Sequence, residues 1–104
     1  MVKKMIDINE YIIHINKSNI GNKQAVFKFP NGYGASLIQG PSSYGGEDGL
    51  FEIAVIEFNT GNGWELCYHT SVADDVLGHL TENEVMEILN KIYKLKKRID
   101  NAIN

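Results

Sequence analysis

Five residues able to ligate a metal ion or move a proton, Cys67, His69, Asp74, Asp75 and His79, fall within thirteen consecutive positions. Thiolate, imidazole and carboxylate are the ligands that zinc or a hydrolytic metal accepts, and a turn in the chain can gather them. The spacing matches no established pattern, since C-x-x-C, H-E-x-x-H and the calcium-loop arrangement are all absent. On an extended segment Cys67 and His69 share one face with Glu65, whereas Asp74 and Asp75 are natural turn and helix-start residues. The plain reading of the cluster is therefore structure and solvation, with no metal, no cofactor and no catalytic residue. A metal-dependent or acid/base enzyme built on these five residues stands as the alternative.

A second candidate is the loop Gly40-Pro-Ser-Ser-Tyr-Gly-Gly-Glu-Asp-Gly49. Gly-rich loops bind phosphate where their amides converge at a helix N-terminus, but this one leads into a strand and carries Glu47 and Asp48 without a cation. It repels phosphate, and it reads as a connection or as a recognition loop anchored by Tyr44. The basic stretch Lys91, Lys94, Lys96, Lys97 and Arg98 offers charge for nucleic acid or an acidic membrane. Ile92, Leu95 and Ile99 claim the core stripe of that segment, so its cations read as a solvated helix end, and no direct nucleic-acid contact is expected.

The fourth candidate is a charge partition. All ten Lys and Arg residues lie outside residues 30–90, whereas ten of the thirteen Asp and Glu residues lie inside. One explanation is solubility, with the basic ends folding against the acidic middle. The sharper one is a negative surface that occupies a positively charged groove, as a nucleic-acid mimic does. Glu82, Glu84 and Glu87 belong to the start of a helix and complement its dipole. The remaining carboxylates are Glu47, Asp48, Glu52, Glu57, Glu65, Asp74 and Asp75, and their effect depends on whether they share one face.

The elements that must position these residues are a sheet followed by a helix. Residues 10–15 and 23–29 are rich in β-branched and aromatic residues and predict a hairpin. Pro30-Asn31-Gly32 predicts a turn into a third strand over 33–39, and a nearly continuous apolar run predicts a central strand over 50–58. A Gly-containing loop then leads to a fifth strand over 64–69, with Trp64, Leu66 and Tyr68 on one face. Val72, Val76, Leu77 and Leu80 predict a short helical turn ended by Gly78. Thr81-Glu-Asn-Glu84 is a capping box, followed by a stripe at Val85, Ile88, Leu89, Ile92, Leu95, Ile99 and Ile103. The fold class expected is α+β, a single domain over residues 1–104: an antiparallel meander of four to five strands with one C-terminal helix across one face.

Composition agrees with that class. With 104 residues, 43% hydrophobic and 22% charged, the chain is long enough for one core without staples. A single cysteine argues for a reducing compartment, and no run approaches a membrane span, so a soluble cytoplasmic protein is expected.

The motifs Asn31-Gly-Tyr-Gly, Ser43-Tyr-Gly-Gly, Gly49-Leu-Phe-Glu-Ile-Ala-Val55, Glu65-Leu-Cys-Tyr68 and Asp74-Asp-Val-Leu-Gly78, then Leu80-Thr and Glu84-Val, follow in order along residues 31 to 95. In that order they resemble a group of small uncharacterised proteins encoded by bacteriophages and prophages; the N-terminal hairpin lies outside the match. The resemblance implies context rather than chemistry, because small acidic phage proteins without enzymatic activity are often inhibitors of host machinery, anti-CRISPR proteins among them. The leading expectation is a non-enzymatic binding protein that meets a basic host protein, such as a nucleic-acid enzyme, through Tyr44, Glu47, Asp48, Glu52, Glu57, Glu65, Asp74 and Asp75. A phage structural or self-assembling module is the remaining alternative.

Overall fold

The computed structural model describes residues 7–17, 21–40, 49–59 and 61–97. After a 3-10 turn at Ile8–Tyr11 come strands β1 (Ile12–Lys17), β2 (Lys23–Lys28), β3 (Tyr33–Gln39), β4 (Phe51–Phe58), β5 (Trp64–Leu66) and β6 (Leu77–Leu80), then helix α1 (Glu82–Tyr93). The strands form one antiparallel sheet in the order β1-β2-β3-β4-β5, and β6 also pairs with β4. This is the expected α+β meander with one helix, enlarged by a sixth strand.

The sixth strand replaces the short helical turn anticipated between the sheet and the helix. β5 spans only three residues and pairs Ile56 to Phe58, leaving the outer edge of Phe51 and Ile53 open; Leu80 and Leu77 pair there instead. Unpaired edge amides and carbonyls are costly to leave between packed layers, and this demand outweighs the helical spacing of four apolar residues. The register slips between the two pairs, and within β6 His79 takes a φ of 56°, a conformation uncommon outside glycine.

Strand alternation sends Phe27, Ala35, Ile53 and Val55 to one face, where they are buried with Val85, Leu89 and Ile92 of α1. Each of those helix side chains contributes roughly 1.5–3 kcal/mol by leaving water. Tyr11, Phe29 and Tyr93 stack at one end of this core, with ring centroids 5.4 to 5.7 Å apart, and so tie the 3-10 turn to the end of the helix. A side-chain hydrogen bond with Tyr93 that favours the protonated phenol is the main reason that the Tyr11 hydroxyl titrates above its ordinary value. No described helix is long and apolar enough to cross a membrane.

The helix starts as its sequence dictates: Thr81 Oγ1 accepts from the Glu84 amide at 3.3 Å, and the Thr81 amide donates to Glu84 Oε1 at 2.9 Å. It ends earlier than the apolar stripe suggests. Lys94 is the C-cap, Leu95 is half-buried below it, and Ile99 and Ile103 lie outside the described residues. The cause is Asn31 in the β2–β3 turn. Its buried Nδ2 group donates to the carbonyls of Ile92 at 2.8 Å, Tyr93 at 3.1 Å and Leu95 at 3.1 Å, while its Oδ1 accepts the Tyr33 amide at 3.0 Å. Gly32, at φ 88°, lets the turn present Asn31 inward.

Asn31→Ala leaves the helix-end carbonyls without this donor and is expected to lower unfolding free energy by about 1–3 kcal/mol in urea titration. Asn31→Asp sets a carboxylate against three carbonyl oxygens at the negative end of the helix dipole, and should cost more than the alanine change. At the other end, Thr81→Ala should cost about 1 kcal/mol. The Glu84 carboxyl titrates below its ordinary value, chiefly through the Thr81 amide. Its folded-state value is thus below the unfolded one, so its contribution is present above the unfolded value and is lost as pH falls through the folded one. Glu84→Gln should flatten that part of the acid limb of the stability curve.

Candidate functional site

The face of the sheet away from α1 carries Gln24, Val26 and Lys28 on β2, Gly34, Ser36 and Ile38 on β3, Glu52, Ala54, Ile56 and Phe58 on β4, and Trp64 and Leu66 on β5. A bulge in β1 between Ile12 and His14 adds Ile13 beside His14 on this side. Ile13, His14, Gln24 and Val26 from one edge and Asn62 and Trp64 from the other line a single cleft of about 400 Å³. Flat strands at positions one and five would stand about 19 Å apart, so the sheet curls around this face.

Glycine makes the curl possible. A Cβ on Gly34 would lie 1.9 Å from the Phe27 carbonyl oxygen and 2.8 Å from the Phe58 ring, so only glycine lets that ring settle over β3. Lys28 Nζ sits 5.2 Å from the Phe58 ring centroid and donates to Gly61 O at 2.6 Å and Asn62 Oδ1 at 3.0 Å. The β4–β5 loop is thereby drawn across the face, and Trp64 with it. Val26, Ile56 and Phe58 are buried beneath, while Ile13, Trp64 and Leu66 stay 40%, 37% and 50% exposed.

The outer edge of β4 holds the rest of the site. β5 pairs Ile56 to Phe58, the Cys67 amide donates to Val55 O at 2.9 Å, and β6 pairs Phe51 and Ile53 in the same direction. β5 and β6 are therefore one edge strand interrupted by an excursion, residues 68–76. The excursion folds toward the helix: Ala73 joins the core, and Ser71 and Val72 adjoin Lys91, Lys94 and Leu95. Asp74 and Asp75 stay exposed on it, with the Asp75 carboxylate accepting the Val76 amide at 2.7 Å.

The predicted acidic set is thus divided. Glu52 is on the open face, Glu57 and Glu65 are a cross-strand pair on the helix side, and Asp74 and Asp75 are on the excursion. Tyr44, Glu47 and Asp48 lie outside the described residues. Of the five chemistry candidates, Cys67 and His69 come together, Sγ to Nε2 at 3.2 Å, and Asp74, Asp75 and His79 do not join them. The third member is Glu57, whose Oε2 is 3.3 Å from the same His69 nitrogen. Sequence reasoning missed Glu57 in this role because it lies ten positions before Cys67, and only the β4–β5 register brings it close. Trp64 and Leu66 were legible as one face of a strand, but Trp64 was not legible as the exposed wall of a cleft.

No family model matches this chain, and neither curated proteins nor solved structures include a significant match to it.

Trp64 is the only tryptophan. Lys28→Ala removes the donor that holds the β4–β5 loop, and the emission of Trp64 should shift to the red as the ring gains solvent. An unchanged emission spectrum would show that the loop keeps its place without Lys28.

Proposed function

We propose that this chain is a non-enzymatic binding protein of phage or prophage origin, acting on a basic nucleic-acid enzyme of its host and blocking the surface that enzyme offers to nucleic acid. The observation that carries this reading is the exposed edge segment Trp64-Glu65-Leu66, with Tyr68 beyond it, in a stretch of sequence that holds no lysine or arginine from residue 30 to residue 90. Large aromatic side chains left 37% and 39% exposed at Trp64 and Tyr68 are the residue type that anchors protein interfaces, since they bring much area at little entropic cost. Glu65 between them, and the exposed Asp74 and Asp75 on the excursion that follows, add the sign that steers a basic partner and repels nucleic acid.

The phage context and the choice of a host nucleic-acid enzyme as target rest on the resemblance in motif order from Asn31 to Val85. The edge geometry supports the binding mode. A short edge strand bearing charge limits indiscriminate strand pairing, so side chains rather than open backbone are the expected contacts.

The immobilised protein should recover from a bacterial host lysate a basic enzyme that double-stranded DNA displaces. Trp64→Ala should then weaken binding to the purified enzyme by about 2 kcal/mol, roughly 30-fold. Glu65→Lys combined with Asp74→Lys and Asp75→Lys should slow association and abolish its salt dependence. Unchanged affinity in both variants would overturn this reading.

A further inference from the structure

Glu57, Cys67 and His69 place one carboxylate oxygen, one sulfur and one imidazole nitrogen within 4.8 Å of one another. Two plain chemistries account for such a trio without metal. In a catalytic relay, the thiol and the carboxylate would engage opposite nitrogens of the imidazole, so that one orients the ring while the other exchanges a proton. Here both converge on Nε2, Sγ at 3.2 Å and Oε2 at 3.3 Å. Cys67 is also only 1% exposed, which withholds its sulfur from a substrate. In an ion pair, a protonated His69 would face Glu57 alone, and nothing in that pairing calls for the sulfur.

A shared cation accounts for all three. Around a tetrahedral zinc ion, ordinary bond lengths put imidazole nitrogen and carboxylate oxygen about 3.3 Å apart and sulfur and nitrogen about 3.6 Å apart. The observed nitrogen–oxygen distance of 3.3 Å matches this and the sulfur–nitrogen distance of 3.2 Å is about 0.4 Å shorter, while all three ligand atoms lie within 4.8 Å of one another, so side-chain adjustment draws them onto one ion. The burial gradient fits as well. Cys67 is buried and the Glu57 side chain is 13% exposed, so two groups able to carry negative charge meet at the sheet edge, while the His69 side chain is 67% exposed and leaves the fourth position toward water.

We infer that Glu57, Cys67 and His69 form a binding site for one zinc-class divalent ion, with three protein ligands and an outward fourth position. Thiolate and imidazole select zinc or cobalt over magnesium and calcium. Ligation would join β4 to the two ends of Cys67-Tyr68-His69, fixing the start of the 68–76 excursion and the direction of Tyr68. The site stands on distances within this chain and is independent of the proposed partner.

Cobalt(II) tests it, using protein without a histidine tag. Titration should give a thiolate-to-cobalt charge-transfer band and the visible bands of a four-coordinate ion, saturating at one ion per chain and displaced by zinc. Because Cys67 is the only cysteine, Cys67→Ser must abolish the charge-transfer band. His69→Ala, at an exposed position that leaves the core intact, and Glu57→Gln should each weaken binding at least about tenfold. His14→Ala and His79→Ala should bind like the parent. Absence of the charge-transfer band at saturating cobalt, or parental affinity in His69→Ala, would overturn the site.

Discussion

The placement of the helix on the sheet depends on one amide group. α1 is amphipathic and would lie on any apolar surface of sufficient width, so its buried Val85, Leu89 and Ile92 determine which face turns inward but not how far the helix slides. Asn31 sets the axial position. By donating to the carbonyls of residues 92, 93 and 95 it fastens the last turn of the helix to the β2–β3 turn, 61 to 64 residues earlier in the chain. The Tyr11, Phe29 and Tyr93 rings then fill the corner that this contact defines. A polar side chain buried with donor and acceptor both satisfied specifies a position more sharply than apolar contact does, because its alternatives leave polar groups bare.

The strands were largely legible because period-two patterns and turn residues are local signals. Tyr33 to Gln39 and the apolar run ending at Phe58 fall where alternation and Asn31-Gly32 put them. Asn31 itself shows the limit of such reading. Its turn propensity was visible, but its long-range role was not, since nothing in the adjacent sequence tells that a helix end sixty residues later needs a donor. The overestimated helix has the same origin: the apolar spacing continues through Leu95, and the tertiary contact ends the helical hydrogen bonding at Lys94.

The interrupted edge strand was the least legible element. Residues 64–66 and 77–80 pair along the same edge of β4, and the segment between them leaves the sheet to meet the helix and returns. Sequence periodicity treats each stretch separately, and Leu77-Gly-His-Leu80 is too short, and interrupted by glycine, to declare itself a strand. What selects it is an unfilled edge created by the brevity of β5. The same interruption makes the chemistry: Cys67 is the last residue to bond β4 before the excursion, and His69 turns back toward Glu57 because the chain has left the ladder there.

Charge along a chain becomes charge on a surface only after the pleat has sorted it. Glu52 and Glu57 are five positions apart on one strand, an odd number, so they emerge on opposite faces despite belonging to one acidic stretch. Glu65 pairs across from Glu57 and shares its side. Two carboxylates directly opposite each other repel, a local cost that the fold tolerates beside His69 at the sheet edge. Among the described residues, the partition that is so complete in sequence is thus divided between Glu52 on the open face, Glu57 and Glu65 at the outer edge, and Asp74 and Asp75 on the excursion. Glu57 and Glu65 share the outer edge with the exposed ring of Trp64, but the pleat sends the carboxylates and the ring to opposite faces of the sheet.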